Sequence, residues 1–326
     1  MREIKITKAE EGQRLNKILE KYLNLAPKSF CYKMLRKKNI VLNAKKADGS
    51  EKVKDGDVIK LFLAEETIEK FTKKQTVIDT NVSLEVLYED SAFLIVNKPV
   101  GMLSQKAKLE DISLVEHSIS YLLKTKQITE ASLQISRPSI CNRLDRNTSG
   151  IVVLGKHPAA LQAMGALIVD RSLKKYYLCI VAGKFLNKEK IAGYLRKEEE
   201  KNKVQITMEP CEDGKYIETE FMPIAYGENT TLLEVYLITG RTHQIRAHLS
   251  AQGYPIIGDT KYGDLKINKQ YFQNHQLKTQ LLHARRLVFP KLDGLTAGLS
   301  ESEILAPLPK KFKQIIEHDF SETEVI

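Results

Sequence analysis

The chain has 326 residues, of which 42% are hydrophobic and 28% are charged. This composition is typical of a globular protein, and the length allows two domains with a sizeable core. No apolar run approaches the roughly 18 residues that a membrane helix needs, and the first residues lack the apolar region of a secretion signal. We therefore expect a cytoplasmic protein that does not bind membranes.

The four cysteines favour the same compartment and give no sign of a metal site. Cys31, Cys141, Cys179 and Cys211 lie far apart, without a Cys-x-x-Cys pair or a histidine at zinc-ligand spacing. Such cysteines are typical of reduced thiols in a protein core. The sequence also lacks a glycine-rich cofactor loop, which disfavours a methyltransferase. We predict neither a metal nor a cofactor.

Positive charge is concentrated at the N-terminal end of the chain. The net charge is +10, and residues 1–75 hold 19 basic and 11 acidic residues, an excess of eight. A basic small domain beside a nearly balanced larger one indicates a contact surface for a polyanion such as RNA. A lysine-rich, well-solvated surface is the alternative.

Residues 12–63 have the pattern of a small α+β domain. One predicted helix face carries three apolar residues at i, i+3, i+4 spacing, namely Leu15, Ile18 and Leu19. Pro27 begins a second short helix, and short strands are predicted at residues 40–43 and 58–59. Two helices, a basic turn and a small sheet ending in Gly-Asp resemble the S-four-like RNA-binding domain, first known from a small-subunit ribosomal protein. The resemblance implies that the basic end of the second helix lies against a phosphate backbone, through Arg36, Lys37 and Lys38.

Residues 64–82 are charged and poor in periodicity, which indicates a linker. We place the domain boundary near Gln75, so that residues 1–75 form the S-four-like domain with its linker and residues 76–326 form a second domain. In the second domain we predict strands at 84–88, 93–97, 151–154, 175–181 and 231–238, and helices at 111–124, 158–170 and 242–252. Because strands outnumber helices and seldom alternate with them, we predict an α+β fold with a largely antiparallel mixed sheet.

The sequence Arg-Leu-Asp-Arg-Asn-Thr-Ser-Gly at residues 143–150, called here the central loop, lies between the apolar run 135–140 and a predicted strand. A carboxylate on a polar loop carried by a sheet is a common place for a catalytic residue. Asp145 could instead fix a turn or pair with a neighbouring arginine. A calcium loop is excluded, since Lys156 stands where the twelfth position requires a glutamate.

The central loop resembles the active-site motif Arg-Leu-Asp-x-x-Thr-Ser-Gly of the Rlu-type RNA pseudouridine synthases. Further segments resemble that family's motifs in the same order, at residues 94–101, 175–178, 239–249, 258–259 and 282–284. The resemblance covers about residues 84–309 and implies the pseudouridine synthase fold. One residue departs from the family pattern: Asn142 stands where the family usually has histidine, so no role of that histidine is carried over.

The resemblance also implies roles for individual side chains. Asp145 matches the essential nucleophile, which either attacks the ribose anomeric carbon or removes a ribose proton. Arg246 matches the arginine that pairs with this aspartate and favours its charged form. Tyr177 matches the tyrosine that stacks on the detached base and could exchange a proton with it. Arg143 resembles the residue that enters the RNA stack where the target base was.

Simpler roles remain open for several of these residues. Tyr177 could be ordinary strand packing. Arg241 either binds phosphate or caps local carbonyl groups, and Lys98 and Lys175 contact either phosphate or the protein scaffold. Two histidines, His243 and His248, are five residues apart and so do not face each other on a helix as zinc ligands would; we interpret them as structural.

We therefore predict an RNA pseudouridine synthase that acts on large-subunit ribosomal RNA and has no DNA partner. Transfer RNA stays open as a substrate, as do the target uridine and the oligomeric state. The alternative is a non-catalytic RNA-binding or ribosome-assembly factor on the same fold. Against it, a pure RNA binder has no need of a carboxylate that would repel phosphates.

Overall fold

The computed structural model describes residues 1–73, 77–198 and 203–320. Its helices in these ranges are α1 (Leu15–Tyr22), α2 (Lys28–Arg36), α3 (Glu65–Phe71), α4 (Leu114–Lys124), α5 (Glu130–Leu133), α6 (Pro158–Val169), α7 (Gln244–Ala251), α8 (Leu265–His275) and α9 (Lys310–Asp319). Its strands are β1 (Arg2–Lys5), β2 (Ile40–Leu42), β3 (Val58–Leu61), β4 (Glu85–Glu89), β5 (Phe93–Lys98), β6 (Ser139–Ile140), β7 (Ser149–Gly155), β8 (Lys174–Ala182), β9 (Glu189–Glu198), β10 (Lys203–Thr207), β11 (Lys215–Tyr226), β12 (Thr230–Leu237), β13 (Leu282–Val288) and β14 (Glu303–Leu305). No helix in these ranges has the length and apolar content to cross a membrane.

The N-terminal unit is a three-stranded antiparallel sheet in the order β1-β3-β2, with α1 and α2 packed against it. The helices and strands predicted for residues 12–63 are confirmed, and the predicted apolar face of α1 is fully buried. β1 has no counterpart among the predicted elements. Three of its four residues are charged and only Ile4 is apolar, so the segment cannot be told from a charged terminus.

The prediction that residues 64–82 form a linker is wrong at its start, where α3 lies. Ile68 is fully buried in the N-terminal core. Phe71 packs on Phe30 with ring centroids 4.6 Å apart. Only one residue of α3 is fully buried, so hydrophobic periodicity could not reveal this helix. The predicted boundary near Gln75 lies outside the described residues.

Two residues just after α5 contact the N-terminal unit. Ile135 is 7% exposed and belongs to the same apolar cluster as α1 and α2. The side-chain amide of Gln134 donates to the carbonyl oxygens of Lys21 and Tyr22, both at 3.3 Å. The N-terminal unit is therefore packed against a segment that comes just before the central loop in the chain.

The large sheet runs in the order β10-β9-β11-β12-β8-β13-β7-β5-β4, with β14 beside β13 and β6 beside β7. Among the described strands, every pairing is antiparallel except that of β7 with β13. The predicted α+β fold with a largely antiparallel mixed sheet is confirmed. The strands predicted within it are also found, with ends that shift by one or two residues.

The single parallel pairing depends on Gly150. This residue is the last of the central loop and pairs with Ala284 of β13. Its φ is +114°, in a region that other residues rarely adopt. A Cβ atom at this position would overlap the backbone N, C and O atoms of Ala284. Glycine is therefore required here for the central loop to enter the sheet.

Replacing Gly150 with alanine should lower the free energy of unfolding by about 3 kcal/mol or more, because backbone strain and a steric clash add. The control is Gly165→Ala within α6, where an added Cβ meets nothing within 4 Å. That change should leave stability unaltered or raise it by about 0.5–1 kcal/mol. Denaturant unfolding measures both. Equal stability of the two variants would contradict this account of Gly150.

Candidate active site

The central loop is fastened to the sheet by its own backbone and one apolar anchor. Leu144 is 7% exposed and packs in the main core. The Ser104 hydroxyl donates to the Leu144 carbonyl at 2.8 Å and accepts from its N–H at 3.0 Å. Next to it, the Arg146 Nε–H donates to the Gly101 carbonyl at 3.0 Å. Asp145 stands between these two fixed residues, so its position is set by the fold.

Asn142 adds a further attachment just before the loop. Its side-chain amide donates to the Ile151 carbonyl at 3.1 Å, and its side-chain oxygen accepts from the Val153 N–H at 2.8 Å. The asparagine that replaces the family's usual histidine thus bonds the entry of the central loop to the backbone of β7.

A cleft of about 630 Å³ opens beside the central loop. The loop forms one wall, and the start of β8 and residues 237–246 form others. The cleft brings together five of the predicted site residues, Arg143, Asp145, Tyr177, Arg241 and Arg246. They come from separate parts of the chain, and only the fold places them in one site.

Asp145 pairs with Arg246, as predicted from the motifs. One guanidinium nitrogen of Arg246, NH1, lies 2.7 Å from Asp145 Oδ2. Its other two nitrogens, Nε and NH2, donate to the two oxygens of Asp259 at 2.7 and 2.9 Å. Asp259 is fully buried and also accepts the backbone N–H groups of Lys261 and Tyr262. The arginine is therefore held by two carboxylates, one structural and one facing the cleft.

The buried charges of Arg246 and Asp259 stabilise one another. Burial raises the pKa of Asp259, but hydrogen bonding and charge from Arg246 lower it below its usual value. Burial lowers the pKa of Arg246, and the two carboxylates together raise it above its usual value. The Tyr262 ring lies under the guanidinium, 5.2 Å from ring centroid to carbon. Sequence reasoning gave Asp259 no role; the Gly-Asp motif at residues 258–259 was the available signal.

Tyr177 lies on β8 and is 7% exposed at the cleft. Burial and the negative charge of Asp145 raise the pKa of its hydroxyl well above the usual value. The hydroxyl therefore stays protonated at neutral pH, where it can donate a hydrogen bond. Tyr177 also belongs to the main apolar core, so packing and a place in the cleft are both present.

Arg143 and Arg241 are exposed and line the cleft. Within the described part of the chain, neither guanidinium has a hydrogen-bond or ion-pair partner, so Arg241 caps no local carbonyl there. Their contact with RNA stays a prediction. The same holds for Arg36, Lys37 and Lys38, which are exposed at the end of α2.

The prediction that Lys98 binds RNA is wrong, because its side chain is 0% exposed. Its ammonium donates to the carbonyl oxygens of Pro99, Met102 and Arg146 at 3.0, 2.9 and 3.2 Å. These three acceptors match its three N–H donors. Burial lowers the pKa of Lys98 to about 7, against the opposing effect of Asp145. Lys98 is a scaffold residue that ties the central loop to the segment after β5.

His243 is a site residue that sequence reasoning did not identify. Its Nε2 lies 3.9 Å from Asp145 Oδ2, and its Nδ1 lies 3.0 Å from the Tyr262 hydroxyl. Its backbone is left-handed, with φ of 56°, so α7 begins at Gln244 instead of at residue 242 as predicted. The spacing argument addressed only zinc binding and could not show that this residue faces Asp145. His248, by contrast, is fully buried against Thr219, as expected of a structural residue.

One group of possible metal ligands occurs in the described residues, and none of its members lines the cleft. His275, His318 and Asp319 meet at the ends of α8 and α9, with ligand atoms within 4.8 Å of one another. The charged and polar groups near Asp145 are the Arg246 guanidinium, the His243 imidazole and the protonated Tyr177 hydroxyl.

The fold and the cleft together match a known class of protein. The family model for RNA pseudouridylate synthase matches residues 92–251. Two human structures share the fold. Human RNA pseudouridylate synthase domain containing 4 has a TM-score of 0.55 and 20% sequence identity, and the match covers 72% of this chain and 92% of that one. Human RNA pseudouridylate synthase domain containing 1 has a TM-score of 0.51 and 22% sequence identity, and the match covers 75% of this chain and 97% of that one. Fold and site therefore define an RNA pseudouridine synthase.

Curated relatives match over nearly the whole chain. The ribosomal large subunit pseudouridine synthase C of Buchnera aphidicola subsp. Baizongia pistaciae is 30% identical over 97% of this chain and 96% of the relative. The synthase C of Vibrio vulnificus is 29% identical over 94% of this chain and 92% of the relative. An uncharacterised RNA pseudouridine synthase of Mycoplasma genitalium is 30% identical over 88% of this chain and 89% of the relative. The chain belongs to the Rlu-type RNA pseudouridine synthases, and it is an isomerase, as its motifs predicted.

Replacing Arg246 with methionine leaves buried Asp259 without its counterion and should lower the free energy of unfolding by about 3–5 kcal/mol. The matched control Arg241→Met removes an exposed arginine from the same cleft and should change stability by less than about 0.5 kcal/mol. The double variant, Arg246→Met with Asp259→Asn, should lose less free energy of unfolding than the two single variants added together. The reason is that it contains no uncompensated buried charge. Urea unfolding of the unaltered protein, the control, the two single variants and the double variant measures this, and strict additivity would refute the pairing.

Proposed function

We propose that this enzyme converts uridine to pseudouridine in large-subunit ribosomal RNA, with Asp145 as its nucleophile. The observation that carries the assignment of Asp145 is its 2.7 Å pairing with Arg246 at the edge of a cationic cleft. The ribosomal substrate is supported by the names of the relatives from Buchnera aphidicola and Vibrio vulnificus. The four unpaired cysteines support a cytoplasmic setting.

The chemistry is an isomerisation that needs no outside reactant. The bond between uracil N1 and ribose C1′ breaks, the base turns, and a bond forms between C5 and C1′. The base gains a proton at N1 and loses one from C5, so atoms and electrons balance. Asp145 either attacks C1′ or takes a ribose proton, and both roles require its charged form. Arg246 stabilises that form without having to reorient, because Asp259 already fixes the position of its guanidinium.

The remaining cleft residues handle the base and the RNA strand. Tyr177 offers the detached uracil an aromatic face and a protonated hydroxyl beside Asp145. Arg143 is exposed next to the nucleophile, and its planar guanidinium replaces part of the stacking lost when the target base leaves the helix. Arg241 neutralises a phosphate at the opposite wall.

We further propose that residues 1–75 act as an accessory RNA-binding domain of the S-four-like kind. Its small sheet and two helices carry exposed Arg36, Lys37 and Lys38 at one helix end. Such contacts add affinity without reading sequence, which leaves the choice of uridine to the cleft and the RNA shape.

Replacing Asp145 with asparagine keeps the size of the side chain and removes its charge. Turnover should fall by at least about a thousandfold, within the range seen when a catalytic group is lost, while RNA binding persists. Release of tritium from RNA labelled at uracil C5 measures turnover, because that hydrogen leaves in every cycle. The control is Asn147→Ala in the same loop, which should retain activity. Turnover of Asp145→Asn near that of the unaltered enzyme would exclude Asp145 as nucleophile.

Replacing Arg36, Lys37 and Lys38 together with glutamine should weaken RNA binding and flatten its dependence on salt. The slope of log K against log salt should fall by about 2–3, since each lost phosphate contact removes roughly 0.7–0.9. The saturated single-turnover rate should stay unchanged. The control is a second triple variant, which removes the same charge from another exposed surface. It replaces three lysines of α9 with glutamine, namely Lys310, Lys311 and Lys313. Equal slopes for the two triples would mean that α2 makes no specific contact.

A further inference from the structure

The cleft has an excess of positive charge that the paired Asp145 and Arg246 do not explain. Besides Arg143 and Arg241, two further cations line it, Arg171 and Lys175. Arg171 has no role in the site described above, and the sequence left Lys175 open between a phosphate contact and a scaffold contact. They lie on the wall formed by the end of α6 and the start of β8, next to Tyr177 on the same strand.

Lys175 points into the cleft from the same face of β8 as Tyr177, since alternate residues of a strand share a face. In the described ranges its ammonium has no hydrogen-bond or ion-pair partner. The ammonium lies close to the backbone of Gly240, because a Cβ added there would be 3.5 Å from Nζ. Burial lowers the pKa of Lys175, and the nearby charge of Arg171 lowers it further. A cation is thus held half-buried without a compensating anion.

Arg171 is the second half of this arrangement. It occupies the turn between α6 and β8 with φ of 64°, a left-handed conformation that costs free energy for any residue with a side chain. Its nearest carboxylate is Glu218, at 3.8 Å from NH1. Glu218 binds Lys190 through its other oxygen, Oε1, at 2.5 Å, so this one carboxylate is shared by two cations. Two like charges therefore face one cleft wall with little to neutralise them.

We propose that Arg171 and Lys175 form a phosphate subsite, which takes one phosphodiester of the RNA strand next to the target uridine. A phosphate placed between them supplies the missing negative charge and accepts N–H bonds from both the guanidinium fork and the ammonium. Tyr177 lies two residues from Lys175, so a strand bound here runs past the base-binding position. The subsite rests on the proposed function, because it assumes that an RNA strand enters this cleft.

The test is RNA binding by the full chain in the Asp145→Asn background, where no turnover occurs. The probe is an RNA hairpin with one unpaired uridine in its loop, which suffices because phosphate contacts do not depend on sequence. Arg171→Gln and Lys175→Gln should each raise Kd about tenfold and lower the salt slope by roughly 0.7–0.9. Lys175→Arg should restore most of the affinity.

A matched control comes from the neighbouring residue. Lys174 is exposed on β8, carries the same charge and does not line the cleft. Lys174→Gln should therefore leave both Kd and the salt slope near their starting values. If Lys174→Gln and Lys175→Gln weaken binding equally, the effect is general electrostatic attraction and the subsite is refuted. Thermal melting of each variant checks that the fold is intact.

Neutral methylphosphonate linkages then locate the contact. Replacing the phosphates that flank the unpaired uridine one at a time should identify a linkage whose loss weakens binding about tenfold. In the Lys175→Gln variant, the same neutral linkage should cause no further loss of affinity, because the ammonium that contacts this phosphate is already gone. Independent effects at every linkage would overturn the proposal. Tritium release is measured separately with the unaltered enzyme. Coupling at the linkage without tritium release by the unaltered enzyme from any RNA would refute the proposed function but not the subsite. Tritium release without coupling would refute only the subsite.

Discussion

The contact on which the site depends is the guanidinium of Arg246 between two carboxylates. Asp259 binds two of its nitrogens in a fully buried position, and this fixes the plane in which the third meets Asp145. The buried pair is a stable arrangement because each charge has its partner and Asp259 also accepts two backbone N–H groups. The Asp145 carboxylate is thus held by a group that does not need to move.

The surrounding architecture serves to keep that contact in place. Glycine at position 150 lets the central loop enter the sheet in parallel with β13. The Lys98 ammonium donates to the Arg146 carbonyl of the same loop, and the Asn142 side chain bonds the start of the loop to the backbone of β7. The loop therefore has attachments on both sides of Asp145. A polar loop can carry reactive chemistry with little motion when its backbone groups are bonded in this way.

Local patterns in the sequence predicted much of the fold and part of the site. The apolar spacing of α1 was sufficient because that helix buries one face. β8 was predicted correctly as a strand, although both of its faces are buried from Tyr177 to Ala182. The motifs brought Asp145, Tyr177 and Arg246 together correctly. Features set by contacts distant in sequence were not predictable: the second carboxylate on Arg246, the burial of Lys98, and the left-handed turn that aims His243 at Asp145. α3 was missed because a single fully buried residue carries no period.

The packing of Ile135 into the N-terminal core has a mechanical consequence. Only nine residues lie between it and Asp145, and the intervening chain enters β6, a strand of the large sheet. Residues 135–140 therefore join the two units mechanically, because their first residue is held in the N-terminal core and their last in β6 of the large sheet. A shift of the N-terminal unit relative to the sheet would strain the backbone just before Asp145.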